Sequence, residues 1–264
     1  MQSFESEVDA SAYMLRLAET AVGQAYKNLA LQHLALTPGD TVVDLGCGPG
    51  TDLRRYAEAV GPSGRVVGVD HKDTAVKNAR ERIVDLPQVQ VQTADIVGLY
   101  MPAESADAVH TDRVLQHVSD PAAAIAEAAR VLKQHGRAVL AEPDWRTLVI
   151  DHPEPRLSEA FTSYVVDHQV RNSRIGIALP RLCRAAGLTV ATVIPVTVTF
   201  DTLTAADQIL GFKRVTQRAV DVGLLTADDG RRWLNDLATN WTCASVTLFM
   251  VAAAKTTSPA SSQS

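Results

Sequence analysis

From residue 8 to residue 36 apolar side chains recur at threes and fours, through Met14, Leu15, Ala18, Val22, Ala25, Leu29 and Leu34, and predict helix. Thr37-Pro38-Gly39-Asp40 stops it. The short apolar run Thr41–Leu45 then reads as a buried strand leading into Gly46-Cys47-Gly48-Pro49-Gly50. A helix through Leu53, Tyr56, Ala57 and Val60 follows. The alternation repeats, with strands at Arg65–Val69, Val89–Thr93, Ala106–Thr111 and Arg137–Glu142. Helices lie between them at Thr74–Leu86 and from Asp120-Pro121 to near Leu132. Apolar strands separated by helices imply right-handed crossovers and a parallel sheet covered on both faces, an α/β fold.

Past Glu142 the rhythm changes. Pro143, Pro153 and Pro155 interrupt the chain before a helix through Phe161, Tyr164, Val165 and His168. A helix at Leu179–Ala186 ends on Gly187, and Leu188–Phe200 reads as a long strand. Ala205–Val222 and Ala227–Trp241 read as helices, and Ser245–Val251 as a last strand. The Ser/Thr/Pro/Gln-rich tail 256–264 is expected to fray. The chain thus divides into N-terminal helices (1–36), a core (37–145), two insertions (146–186 and 202–241) and closing strands (187–201 and 242–255).

A chain of 264 residues is long enough for one large domain or a domain plus a cap. Thirty acidic against 25 basic residues leave a charge of −5. That balance argues against a nucleic-acid partner, whose recognition draws on Lys and Arg at phosphates. No apolar run approaches the roughly 20 residues of a membrane span, so no membrane partner is expected. The start, MQSFESEVDA, lacks the basic and apolar pattern of a signal peptide, and a cytoplasmic protein is expected. Cys47, Cys183 and Cys243 are odd in number and far apart, which fits neither a disulfide frame nor a zinc site, so no metal is expected. The excess of Arg over Lys, 19 against 6, points to a GC-rich bacterial source and makes natural-product tailoring plausible.

The chemistry concentrates between Val42 and Asp95. Glycines at 46, 48 and 50 let the first strand-to-helix turn bend sharply and approach a ligand without a Cβ in the way. The helix beyond presents its amides to that ligand. Many nucleotide-binding folds share such a turn. A dinucleotide fingerprint, however, wants glycine at its sixth position, which is Thr51 here. Asp44, just before the first glycine, suits an ammonium or sulfonium better than a pyrophosphate. Asp70, 20 residues after Gly50 at the tip of the second strand, is placed to accept ribose hydroxyls. Asp95, just beyond the third strand, is placed to accept an exocyclic amine such as that of adenine. A cationic amino-acid end, a ribose and an adenine together describe S-adenosylmethionine.

At these residues the chain resembles the class I S-adenosylmethionine-dependent methyltransferases. The closest resemblance is to the broad family that includes the ubiquinone and menaquinone C-methyltransferases and many natural-product methyltransferases. It is carried by Val43-Asp44-Leu45-Gly46-Cys47-Gly48-Pro49-Gly50-Thr51, Gly68-Val69-Asp70 and Ala94-Asp95. Val114-Leu115-Gln116-His117-Val118, Asp120-Pro121 and Ala129-Arg130-Val131-Leu132-Lys133 add to it, over roughly residues 35–145. Gln134-His135-Gly136 departs from the family's Pro-Gly-Gly-like turn, in a loop away from the cofactor.

The resemblance implies a Rossmann-like seven-stranded sheet, six strands parallel and the last antiparallel, with helices on both faces and a helical cap. Gly46, Gly48 and Gly50 would line the methionine part beside Asp44, with Cys47 between them as a small residue without redox work. Asp70, followed by His71, would hold the ribose, and Asp95 with Ile96 would bracket the adenine. Asp112 and Arg113 would sit beside the amino-acid end, Arg113 pairing with its carboxylate. Tyr13 and Tyr26 lie on helices that close over the cofactor in this family.

Candidate catalytic residues are His117 after the fourth strand, Asp144 with Glu142 flanking Pro143, and His168 with Asp167 in the cap. Simpler roles account for each: a helix-start histidine, acids solvating a proline turn, an amphipathic helix. Trp145, Phe161, Tyr164, Phe212 and Trp233 are candidates to line an apolar acceptor pocket, or else cap packing. Arg171 and Arg174 read as a solvated face. The reaction expected is in-line methyl transfer to a small, apolar or aromatic metabolite, releasing S-adenosylhomocysteine, by proximity and exclusion of water. A homodimer is compatible with this reading. Its rivals are an NAD(P)-dependent oxidoreductase and a non-catalytic nucleotide-binding protein of the same fold.

Overall fold

Short runs rich in Val, Ala and Leu give β1 (Thr41–Leu45), β2 (Arg65–Asp70), β3 (Val89–Thr93) and β4 (Ala106–Asp112). Longer ones give β5 (Leu132–Ile150), β6 (Leu188–Phe200) and β7 (Ala244–Lys255). The computed structural model describes residues 21–256, apart from the side chains of Ala21 and Val22. The helix predicted over 8–36 is seen as α1 (Ala21–Leu34); Tyr13 and nearly all of the tail lie outside the described residues. The sheet order is β3-β2-β1-β4-β5-β7-β6, with β7 antiparallel to both of its neighbours. The expected Rossmann-like sheet, six strands in one direction and the last reversed, is therefore the one formed.

Both faces are covered because the central strands are apolar on both sides. On one face α4 (Pro121–Val131) and α6 (Ile175–Ala185) bury Ile125, Ala128, Leu179 and Cys183 against Val43, Val109 and Leu140. On the other, α1, α2 (Leu53–Val60) and α3 (Asp73–Arg82) bury Leu34, Tyr56 and Val76 against Val42, Val66 and Met250. Asp120 starts α4 by accepting from the Ala123 N–H at 2.9 Å, with Pro121 in the first turn.

A third core forms above the carboxyl end of β5. The strand expected to stop at Glu142 runs on to Ile150, because β7 pairs with it through Asp144 and again at Val149 and Ile150, across a bulge. Over this extension pack α5 (Pro155–Tyr164), a π turn (Val165–Gln169), α7 (Leu203–Leu210), α8 (Phe212–Asp221) and α9 (Ala227–Asn240). The single helix predicted for Ala205–Val222 is two. Gly211, at φ +59°, breaks it, and Asp207 Oδ1 accepts from the Phe212 N–H at 2.7 Å beyond the break.

The aromatic residues expected to line an acceptor pocket are this roof's core. Phe161, Phe212 and Trp233 lie with ring centroids 5.3–6.0 Å apart, and all three are buried. Helices that stand away from the main sheet need an apolar centre of their own, and these rings supply it. Packed against one another, they leave no face for a ligand.

Candidate active site

Strand order reverses at β1 and β4: the chain runs outward to β2 and β3 on one side and to β5 on the other. Loops leaving the carboxyl ends of adjacent strands there diverge and open a crevice. The glycine turn occupies it, with Gly46, Gly48 and Gly50 all at positive φ. Gly46 N and Cys47 N both donate to Val69 O, at 2.7 and 2.9 Å, so the turn is laid over the end of β2. Asp70 knots it in place: Oδ2 accepts from Gly48 N and Oδ1 from Lys72 N, each at 2.9 Å.

Around the turn lies a set of buried charges that joins the expected Asp44, Asp112 and Arg113 to Lys27, Asp52 and His110, which the sequence pattern does not announce. Lys27, on the inward face of α1, pairs with Asp52 at the start of α2 and with Asp112 Oδ2, 3.2 Å away, at the tip of β4. Tyr26 donates to the same Asp112 oxygen at 2.9 Å. Arg113 Nε reaches Asp112 Oδ1 at 3.0 Å. Burial alone would raise the Asp112 pKa, but Arg113, Lys27 and His110 outweigh it and hold the carboxyl well below the usual range. Burial raises Asp44, and the hydrogen bond from His110 Nδ1, 3.3 Å from Oδ1, partly offsets the rise. Burial would lower His110, but Asp44 wins and its pKa is raised. Tyr56 Oη sits 2.9 Å from the same His110 nitrogen.

The loop after β4 is strained and tightly held. Arg113 takes φ +58°, unusual without glycine, and directs the next three amides to one side. Val114 N and Leu115 N donate to Glu142 Oε1 at 2.7 and 2.6 Å, and Gln116 N to Oε2 at 3.3 Å. Glu142 is wholly buried, so it has no access to an acceptor. Burial pushes its pKa up to about 8, against the pull of those amides. Below about 8 the folded state binds a proton that the unfolded carboxyl, at 4.5, gives up. Its contribution to stability is thus full below 4.5 and is lost as pH rises to about 8. Glu142→Gln keeps the Oε1 acceptor and removes this titration. The fall in melting temperature from pH 5 to pH 8 is expected to shrink in the variant; equal slopes would show that the carboxyl titrates normally.

The other predicted residues are placed as follows. Cys47 is buried with its Sγ over Gly68, and burial raises its thiol pKa far above the usual range, so it is inert. Asp95 is exposed, with Oδ1 accepting from Val97 N at 3.1 Å, while Ile96 is buried in the core. His71 is exposed, 3.6 Å from Asp70. His117 opens to solvent, yet the protein packed around its ring, with Lys72, His71 and Arg113, pushes its pKa down to about 4. It is neutral at pH 7 and so is not an imidazolium acid.

Asp144 is buried in the β5 bulge, where Oδ1 accepts from Arg146 N at 3.0 Å. His168 is exposed on the π turn and stacks on Tyr164 at 5.3 Å, with no hydrogen bond to the loops around the glycine turn. Among the described contacts none joins His117, Asp144 and His168 to one another. Arg171 and Arg174 are exposed, as expected.

A glycine turn laid over the strand ends at a topological switch point stands where open α/β sheets take their ligands. A family model described as a methyltransferase domain matches residues 36–186, and the chain belongs to that family of S-adenosylmethionine-dependent enzymes. The chain is 49% identical over 254 residues to the uncharacterized 37.1 kDa protein in transposon TN4556 of Streptomyces fradiae, covering 96% of this chain and 74% of that one. It is 32% identical over 124 residues to the ubiquinone/menaquinone biosynthesis C-methyltransferase UbiE of Teredinibacter turnerae, covering 46% of this chain and 50% of the relative. Among solved structures, geranyl diphosphate C-methyltransferase of Streptomyces coelicolor, in complex with Mg2+, geranyl-S-thiolodiphosphate and S-adenosyl-L-homocysteine, has a TM-score of 0.55 at 18% identity. That match covers 88% of this chain and 76% of the other, and is a likeness of fold.

Proposed function

We propose that this enzyme methylates a small organic acceptor, apolar or aromatic in its larger part, by in-line displacement at the methyl carbon. The observation that carries the reading is where the roof stands: its helices, closed on an apolar core of their own, cover the extension of β5 and are joined through Trp145 and Asn172 to the 113–118 loop, which packs on Gly46. Relatives named for ubiquinone/menaquinone biosynthesis and a fold neighbour holding a geranyl diphosphate analogue support an acceptor of that kind. The net charge of −5 supports it over nucleic acid.

When bound, the cofactor supplies an activated methyl group on a sulfonium. Asp44, Asp112 and Arg113 would hold its amino-acid end, Asp70 its ribose, and Asp95 its adenine. The roof holds the acceptor at attack distance and keeps water out. A base is needed only for a hydroxyl or protonated amine acceptor, and His117, neutral at pH 7, is then the candidate to accept the proton.

Incubation with methyl-labelled S-adenosylmethionine and pooled metabolites, followed by mass identification of the labelled product, tests this. Label in a small molecule is expected. Label in protein or nucleic acid alone, or cofactor binding without transfer to any pool, would sink it. Asp70→Ala is expected to weaken S-adenosylhomocysteine binding by about 1–3 kcal/mol, the scale of losing a charged hydrogen-bond acceptor. Unchanged affinity in calorimetry would show that the ribose lies elsewhere.

A further inference from the structure

The loop after β4 touches the cofactor turn on one side and the roof on the other. Val114 presses on the glycine turn so closely that a Cβ built on Gly46 would stand 2.3 Å from Val114 Cγ2. Asn172, in the segment entering α6, donates through Nδ2 to Leu115 O and Val118 O, each at 2.8 Å, and through its backbone N to Gln116 O at 3.1 Å. Trp145 Nε1 donates to Gln116 Oε1 at 2.8 Å, and Trp145 N to Ser173 O at 2.8 Å. Gln116 Nε2 in turn donates to Arg113 O at 3.2 Å. Glu142 closes the set from below through the three amides already described. Gly176 lies flat against this strand, since a Cβ there would stand 2.6 Å from Glu142 O.

From these contacts we propose that Asn172, Trp145 and Glu142 are positioning residues, which fix the 113–118 loop against Gly46 and thereby let the roof set cofactor affinity. None of the three is assigned to cofactor contact. Each bears on the loop that carries Val114, packed on Gly46, and Arg113, which is so assigned. The packed path runs from the roof core through Trp145 and Gln116 to Arg113, and from Asn172 through Leu115 to the Val114–Gly46 contact. Through this path the roof holds the loop in the position that receives the cofactor, and a bound cofactor holds the loop against the roof. Such coupling is reciprocal in binding free energy. The inference rests on the cofactor site described above.

The test is calorimetric titration of the full chain with S-adenosylhomocysteine, alongside thermal unfolding. Asn172→Ala is expected to weaken binding about tenfold, the scale of removing buried hydrogen bonds. Trp145→Phe, which keeps an aromatic ring but loses the Nε1–H donor and part of the indole, is expected to shift affinity in the same direction and serves if Asn172→Ala does not fold; Leu237→Val gauges the effect of lost core volume alone. Glu142→Gln, which keeps the Oε1 acceptor for Val114 and Leu115, is expected to retain near wild-type affinity where Glu142→Ala does not. Leu237→Val, in the roof core away from the loop, provides the control: it lowers the melting temperature and leaves the affinity unchanged.

Wild-type affinity in Asn172→Ala and Trp145→Phe would overturn the proposal, as would an equal affinity loss in Leu237→Val. A wild-type chain that does not bind S-adenosylhomocysteine would overturn the cofactor site itself.

Discussion

Lys27→Ala is expected to destabilise the fold by about 3 kcal/mol, at the lower end of the 3–5 kcal/mol typical when one member of a buried ion pair is removed. The ammonium is nearly inaccessible and serves two carboxylates, Asp52 and Asp112, themselves less than a tenth exposed. Removal leaves both charges buried without their shared cation, and the cost is the part of their desolvation that Lys27 offset. The lower end applies because each acid keeps other partners. Asp112 retains Arg113 and Tyr26, and Asp52 retains the Thr51 hydroxyl at 3.2 Å and Arg55 at 4.0 Å. Lys27→Met, which restores the aliphatic stem but not the charge, is expected to recover less than half of the loss. Equilibrium urea unfolding measures both, and a loss below about 1 kcal/mol, the level of exposed pairs, would mean that water reaches the cluster.

Gly46→Ala should be the most damaging single-methyl change in the cofactor turn. Two costs add: a left-handed backbone at φ +74°, and a Cβ 2.3–2.6 Å from both Val114 methyl carbons. Together they are expected to cost about 2–4 kcal/mol, shared between folding and cofactor binding. Val114 is β-branched and its loop is tied by Glu142, so the methyls have no flexible stem along which to retreat. The double variant Gly46→Ala/Val114→Ala removes the collision and leaves the backbone cost. It is expected to regain roughly half of the S-adenosylhomocysteine affinity loss, in kcal/mol, if the two costs are similar in size. No recovery would assign the whole effect to the turn's dihedral angle.

Legibility differed by the range over which each feature is encoded. Val89–Thr93 and Leu188–Phe200 were readable to the residue, since alternation and flanking turns are local signals. The glycine turn and Asp70 were readable too, because ligand chemistry demands those residue types at a strand's end. Gly211 was the missed local signal: a glycine inside the predicted Ala205–Val222 helix, it ends one helix and starts another. Lys27 gave none, being one polar residue on an amphipathic helix, and only folding brings it 25 residues forward to Asp52 and 85 forward to Asp112.

By itself, then, the sequence determined the α/β rhythm, the cofactor turn and the family, because helical and strand periods and a turn's glycines are written within a few neighbouring residues. Tertiary structure alone decided what the remaining acids and aromatics do. Glu142, readable as a catalytic acid, is wholly buried and holds three amides; Phe161, Phe212 and Trp233, readable as pocket walls, fill the roof. A carboxylate's role follows from its solvation and its donors, and a ring's from whether other rings cover it. Both are properties of distant segments meeting, which no local pattern contains.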